Sequence, residues 1–141
     1  MSAIRAENWG EAARLSRSYG PVAQEVVEWH RLRAGEGSWR DAQGFLRRRP
    51  DWPGLPLLRR RQEENFADAP LEAVFQVYSA SGAQTAGGAL LLAKALEAKG
   101  LRAEADATIL KAWLERAMTD EEQATYLSRY ESLLRPRHVD R

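Results

Sequence analysis

A proline-rich corner between two arginine triplets constrains the fold of this chain more than any other feature. The prolines are Pro50, Pro53 and Pro56, and the triplets are Arg47, Arg48 and Arg49 before the corner and Arg59, Arg60 and Arg61 after it. Because proline disfavours helical geometry in the residue before it, a helix running through the first triplet must stop at Arg49. Proline suits the first turn of a helix, so Pro56 is expected near the start of the next one. We expect Trp52, between Pro50 and Pro53, to fill the gap between these two helices.

Apolar residues recur along the chain with the spacing of helices, and no segment alternates as a half-buried strand would. The eight expected helices lie at 3–18, 21 to the glycines at 35 and 37, 38–49, 56–65, 70–79, 89–99, 103–116 and 119–134. The stripes expected to face the core include Val22, Val26, Trp29 and Leu32 in the second helix, and Trp39, Ala42, Phe45 and Leu46 in the third. Ser38 with Asp41, and Thr119 with Glu122, have the spacing of a capping box. The glycines within 82–88 are expected to frame a loop.

A short repeat is superimposed on the helices. An acidic residue followed by alanine recurs about every 31 residues, at Glu11-Ala12, Asp41-Ala42, Glu72-Ala73 and Glu104-Ala105. Each pair lies near the start of an expected helix, where a small residue lets a neighbouring helix approach and an acid faces the positive helix end. Two further pairs, Asp68-Ala69 and Glu97-Ala98, fall outside this register. We therefore predict an all-α fold, an α-solenoid or superhelix of about eight helices in tetratricopeptide-like antiparallel hairpins.

Composition is that of one folded domain, which we predict to span 1–141. The hydrophobic fraction of 44% and twelve aromatic residues exclude a disordered chain. There is no cysteine, which excludes disulfides and thiolate metal sites. The longest apolar run, 89–93, is too short to span a bilayer, and the first residues lack the apolar core of a signal peptide. Since the chain starts and stops close to expected helices, we expect it to be a fragment of a longer protein.

The residues needed for catalysis or metal binding are scarce. His30 and His138 are the only histidines and have no metal-site spacing, so we expect His30 at a helix surface or boundary. The glycine-rich segment 82–88 lacks the Gly-Lys-Ser/Thr of a phosphate loop. We predict no catalytic, metal-binding or cofactor-binding residue in the chain.

The two arginine triplets flanking Trp52 are the candidate ligand surface. Cations beside an aromatic ring would suit an anionic glycan, a negatively charged protein surface or a nucleic acid. The structural alternative, which we favour, is that the first triplet compensates the helix dipole and the second is a solvated face. Nucleic acid ranks last, because a net charge of +1 gives no phosphate-binding footprint.

Several motifs together resemble the N-terminal helical region of soluble lytic murein transglycosylases. They are W-x-R-L-R from Trp29, F-L-x3-P-D-W-P from Phe45, L-R-R-R from Leu58, L-A-x-A-L from Leu92, A-W at Ala112 and Y-L-x2-Y from Tyr126. The resemblance covers about 29–141, and the Pro-Asp-Trp-Pro corner followed by a basic helix is its most specific part. It implies a periplasmic superhelix joined to a separate lysozyme-like domain, whose catalytic glutamate cleaves glycan strands to 1,6-anhydro products.

The resemblance implies a non-catalytic role for this part of such an enzyme. The family's catalytic Glu-Ser pair is followed by a Gly-Leu-Met-Gln-like segment, whereas Glu131-Ser132 is followed by Leu133-Leu134-Arg135-Pro136. The implied partners are peptidoglycan glycan strands or the enzyme's own catalytic domain. A free-standing tetratricopeptide-like adaptor that binds protein partners is the alternative. A reading frame that continues past Arg141 into the catalytic signature would favour the first.

Overall fold

The computed structural model describes Arg14 and residues 19–135, and every regular element within them is helical. The α-helices are α1 (Pro21–Arg33), α2 (Trp39–Arg48), α3 (Leu55–Gln62), α4 (Leu71–Tyr78), α5 (Ala86–Ala98), α6 (Arg102–Glu115), α7 (Asp120–Arg129) and α8 (Glu131–Leu134). A 3-10 helix, Glu63–Asp68, directly follows α3. The all-α prediction is confirmed for this part of the chain. The helix predicted at 3–18 lies outside the described residues, apart from Arg14, which is helical.

Side-chain caps define where α2 and α7 begin. The Asp41 amide donates to Ser38 Oγ and the Ser38 amide donates to the Asp41 carboxylate, both at 3.3 Å. Thr119 and Glu122 form the same reciprocal pair at 3.1 and 2.9 Å. Each box satisfies two backbone donors that a helix start leaves unpaired, and both predicted boxes are confirmed.

Glycine in the left-handed region ends α5, as expected from the sequence. Gly100 has a φ of 77° and its amide donates to Glu97 O at 3.0 Å, while the Leu101 amide donates to Leu96 O at 2.9 Å. These two bonds form a Schellman motif, which satisfies carbonyls that the last turn would leave unpaired. The same motif ends α1 at Gly35.

The loop predicted around 82–88 is shorter than expected, because α5 starts at Ala86 rather than Ala89. Thr85 is the N-cap, and its Oγ1 accepts from the Gly88 amide at 3.0 Å. Gly87 and Gly88 therefore lie in the first turn of the helix. The cap and the burial of Gly88 offset the poor helix propensity of glycine, which misled the prediction.

The single helix predicted from 119 to 134 is also wrong. Tyr130, with φ −125° and ψ 36°, interrupts it between α7 and α8. The short α8 then packs against both α7 and α6, and Leu134 is fully buried.

The first of two compact units covers residues up to Asn65. Within it α1 packs against α2 and α3, and α2 packs against α3. Among the described residues of this unit, the buried hydrophobic ones are Val27, Leu32, Ala42, Phe45, Leu55 and Leu58. The expected stripe of α1 is wrong at Val22, which is 70% exposed, while Val27 is buried instead.

The second unit begins at Phe66 and contains α4 to α8. Here α5 packs between α4 and α6. Trp113 and Tyr126 are fully buried with their rings stacked at 6.2 Å between centroids, and Tyr126 Oη donates to Ala86 O at 2.6 Å. This bond satisfies the phenol inside the core and ties α7 to the start of α5. The single domain over 1–141 stays a prediction.

The alanines of the repeat are more buried than the alanines that follow an acidic residue outside its register. Ala42, Ala73 and Ala105 lie in the first turns of α2, α4 and α6, and all three are buried. Outside the register, Ala69 is half-buried and Ala98 is exposed. The first copy, at Glu11-Ala12, lies outside the described residues. In each described copy, the small residue is therefore where helices pack.

Ala105→Leu is expected to destabilise the protein by about 1–3 kcal/mol, because three added carbons have no space at a fully buried position. Ala98→Leu is the matched control, since it also follows a glutamate but is exposed, and its effect should stay within about 0.5 kcal/mol. Urea denaturation followed by circular dichroism measures both. Equal losses in the two variants would contradict the role assigned to the buried alanine.

Candidate functional site

The proline-rich corner forms one side of an open groove in the first unit. The groove has a volume of about 440 Å³ and is lined by Val26, Trp29, Arg49, Asp51, Trp52 and Pro53. It therefore brings together two indole rings, one guanidinium and one carboxylate. We call this cavity the Trp29/Trp52 groove.

Two contacts hold Trp29 in place. Its Nε1 donates to Pro53 O at 2.8 Å, which fixes the ring against the corner. The guanidinium of Arg33, one turn further along α1, lies 4.8 Å from the ring centroid, a cation–π distance. Gly54 has a φ of 74°, and a Cβ there would lie 3.3 Å from Trp29 Cζ2. Glycine is thus favoured at 54 both by its backbone conformation and by the closeness of the indole.

Trp52 is half-buried in the corner between Pro50 and Pro53. Its ring meets Phe45 edge to face at 5.8 Å between centroids, and the Arg49 guanidinium lies 5.6 Å from its centroid. Phe45 is fully buried, whereas Trp52 is half-buried. Phe45 therefore belongs to the core next to the corner, and the expectation that Trp52 fills the gap between the helices stays a prediction. Part of the Trp52 indole lines the groove.

The first arginine triplet is partly used within the fold. The Nε atoms of Arg48 and Arg49 each lie 3.4 Å from the carboxylate of Glu25 in α1, whose side chain is only 18% exposed. These ion pairs join α1 to the end of α2. Arg47 is exposed, so the three members of the triplet have different environments. Dipole compensation alone, which we favoured, does not describe them.

The second triplet is separate from the groove. Arg59 is half-buried and Arg60 and Arg61 are exposed on α3. Of the six arginines proposed from the sequence, Arg49 alone lines the Trp29/Trp52 groove as the structure describes it. The continuous six-arginine surface suggested by the sequence stays a prediction.

Arg31 makes a second connection between α1 and α2. Its guanidinium lies 2.7 Å from Glu28 and 2.9 Å from Asp41. The hydrogen bond from Arg31 lowers the pKa of the Asp41 carboxyl below its usual value. The same carboxylate caps α2, so one side chain serves both the helix start and the ion pair.

Two amide side chains, the buried Gln62 and the half-buried Asn65, support the turn after α1. Gln62 Nε2 donates to Leu32 O at 2.9 Å and to Glu36 O at 2.8 Å. Asn65 Nδ2 donates to Gly35 O and to Gln62 Oε1, each at 3.0 Å. Sequence reasoning missed these residues, although Gln62 lies four positions after Leu58, on the buried side of α3. This network has all its amide groups paired and fixes the end of α1. Trp29 and Arg33 belong to the same helix, so their positions depend on it.

A second cavity lies in the second unit and has a volume of about 570 Å³. Its lining is Glu97, Arg102, Asp106, Ser128, Arg129, Tyr130, Glu131, Ser132 and Leu133. Burial and the nearby Glu97 and Asp106 carboxylates raise the pKa of Tyr130 despite the opposing charge of Arg129. Carboxylates and cations are mixed around this cavity.

Glu131 has the environment of a surface residue. Its side chain is 59% exposed and forms an ion pair with Arg135. A catalytic acid works from a desolvated environment, and the exposed, paired carboxylate of Glu131 does not have one. This geometry supports leaving the Glu131-Ser132 pair without a catalytic role.

His30 is half-buried in the last turn of α1, and its ring centroid lies 4.7 Å from that of Trp29. Within Arg14 and residues 19–135, no group of three or more potential ligands could hold a metal ion. His138 lies outside the described residues. No helix in this same part of the chain is long and apolar enough to cross a membrane.

Comparisons with models of known protein families, with curated proteins and with solved structures give no match for this chain. Function must therefore be inferred from its residues and their geometry.

Proposed function

We propose that this chain is a non-catalytic helical module of a peptidoglycan lytic transglycosylase. Its role would be to hold glycan strands in place for a separate lysozyme-like domain that breaks the glycosidic bond. The parent protein would act in the periplasm. In this proposal the chain contributes binding and orientation, which lower the entropic cost of bringing a strand to a catalytic centre.

The observation that carries the proposal is the Trp29/Trp52 groove. The Pro-Asp-Trp-Pro segment, the most specific part of the resemblance, contributes Asp51, Trp52 and Pro53 to its lining. Two indoles with one guanidinium and one carboxylate offer aromatic faces, hydrogen-bond donors and hydrogen-bond acceptors, which suits recognition of a ligand. The exposed Glu131 supports the non-catalytic role.

We further propose that the helices form an α-solenoid of antiparallel hairpins. The buried alanines near the starts of α2, α4 and α6 support a repeating unit. The three-residue connection between α5 and α6 supports an antiparallel hairpin, because short loops join antiparallel neighbours. The tight glycine turn at Gly100 is of the kind that such hairpins use.

Co-sedimentation with purified, protein-free peptidoglycan sacculi tests the proposed function. We expect the chain to be retained in the sacculus pellet and not by cellulose particles, which offer sugar rings but no amino sugars or carboxylates. A free-standing tetratricopeptide-like adaptor, the alternative, would be retained by neither. Equal recovery from sacculi and cellulose would contradict the proposed function.

A further inference from the structure

The indole rings of the Trp29/Trp52 groove are held in position before any ligand arrives. The hydrogen bond from Trp29 to Pro53 O fixes one ring, and the edge-to-face contact with Phe45 fixes the other. Both tryptophans are half-buried, so each ring is anchored on one side while part of it lines the groove. A platform fixed in this way loses little conformational entropy on binding.

The charges around the groove are mixed. Arg49 supplies hydrogen-bond donors, and the exposed Asp51 carboxylate supplies acceptors. Glu25 offsets part of the positive charge of Arg48 and Arg49. A nucleic acid would present a series of phosphates, which Asp51 and Glu25 would repel. A ligand with few charges and many hydroxyl groups fits this surface better.

Sugar rings have the matching chemistry. The face of an indole carries partial negative charge and attracts the weakly positive C–H bonds on one face of a pyranose. Hydroxyl and acetamido groups both donate and accept, so they can use Arg49 and Asp51 together. A carboxylate on the same sugar would form a charge-assisted bond with a guanidinium. The volume of about 440 Å³ is within the range of small-ligand sites and admits a short stretch of sugar rings.

We propose that the Trp29/Trp52 groove is a binding subsite for an amino-sugar glycan strand bearing carboxylates. In this subsite Trp29 and Trp52 stack on sugar rings, Arg49 binds a carboxylate or hydroxyl of the strand, and Asp51 accepts from hydroxyl groups. This inference rests on the proposed function, since it assigns the glycan-binding role to one set of residues.

Nuclear magnetic resonance of the indole N–H groups in the full chain tests the subsite directly. The probe is a peptide-free tetrasaccharide of alternating N-acetylglucosamine and N-acetylmuramic acid, with neutral N-acetylglucosamine tetramer for comparison. We expect the Trp29 and Trp52 signals to shift saturably with either sugar. Trp113, which is fully buried, should not respond. Shifts at Trp39 in place of Trp29 and Trp52, or no saturable shift, would overturn the subsite.

Three variants, one of them a control, separate the contributions of the groove residues to binding. Trp52→Ala should weaken binding of the tetrasaccharide by about tenfold or more, because one of the two rings that stack on the sugars is removed. Trp39→Ala is the matched control: its half-buried ring also has an arginine, Arg40, 4.9 Å from its centroid, but it lies outside the lining of the groove. Its affinity should stay within about twofold of wild type. Arg49→Gln should weaken binding of the carboxylate-bearing sugar more than binding of the neutral tetramer.

The same variants distinguish failure of the subsite from failure of the proposed function. If Trp52→Ala is folded by circular dichroism but sediments with sacculi as wild type does, the subsite is wrong while the glycan-binding function stands. If the wild-type chain itself is not retained by sacculi, the proposed function fails, and the subsite fails with it. Loss of retention in Trp52→Ala and not in Trp39→Ala supports both.

Discussion

Trp113→Ala is expected to lower the free energy of unfolding by about 3–5 kcal/mol, the range for removing a large aromatic side chain from a core. The ring is fully buried in α6 and stacks on Tyr126 with an angle of 29° between the planes. Its removal would leave a cavity between α6 and α7. It would also remove the packing that holds the Tyr126 ring, whose Oη donates to Ala86 O. Urea denaturation followed by far-ultraviolet circular dichroism measures the loss.

The neighbouring residue provides a control for this prediction. Leu114 is 49% exposed, so Leu114→Ala should cost less than about 1 kcal/mol. A Trp113→Ala loss no larger than that of Leu114→Ala would show that the second unit does not depend on this aromatic pair.

Phe45→Ala is the second large effect, and we expect a loss of about 3–5 kcal/mol. Phe45 is fully buried in the first unit, on the side of α2 that faces α1 and α3. Trp52→Ala should cost only about 1–2 kcal/mol, since part of its indole is already in contact with solvent. The pair is informative because the sequence alone favoured Trp52 as the residue that fills the corner.

Both variants can be compared in the same urea titration. A Trp52→Ala loss equal to that of Phe45→Ala would mean that Trp52 is enclosed, and then its ring could not serve a ligand in the groove. The relative cost of the two substitutions therefore tests the placement on which the subsite depends.

Local chemistry made most helix ends predictable. Ser38 and Thr119 begin helices because their hydroxyls satisfy free amides, and Pro50 prevents α2 from continuing, so these positions follow from a few neighbouring residues. Gly100 ends α5 for a similarly local reason. The buried alanines of the repeat were also predictable, since their spacing matches the spacing of the helices.

The sequence was less informative where distant residues decide the outcome. The burial of Trp52 depends on Phe45 and on α1, which contributes Trp29 and Val26 to the other side of the groove. The break at Tyr130 is followed by the short α8, which packs against α6 as well as α7. Helical periodicity does not predict such contacts between separate helices, because it describes one helix at a time.

The groove was only partly predictable. Its corner residues Arg49, Trp52 and Pro53 were among those proposed from the sequence, but Trp29 was assigned to the core stripe of α1. The spacing of Trp29 and Arg33, four residues apart on a helix, was a local signal for a stacked pair. The hydrogen bond from Trp29 to Pro53, 24 positions further along the chain, had no such signal.

The most direct measurement of the central claim is the analysis by mass spectrometry of soluble products after the purified chain has been incubated with sacculi that retain it. We predict no 1,6-anhydro-muropeptides above the level of the buffer control, because the proposed function assigns glycan binding to this chain and bond cleavage to a separate domain. Release of anhydro-muropeptides in proportion to the amount of chain added would contradict that claim.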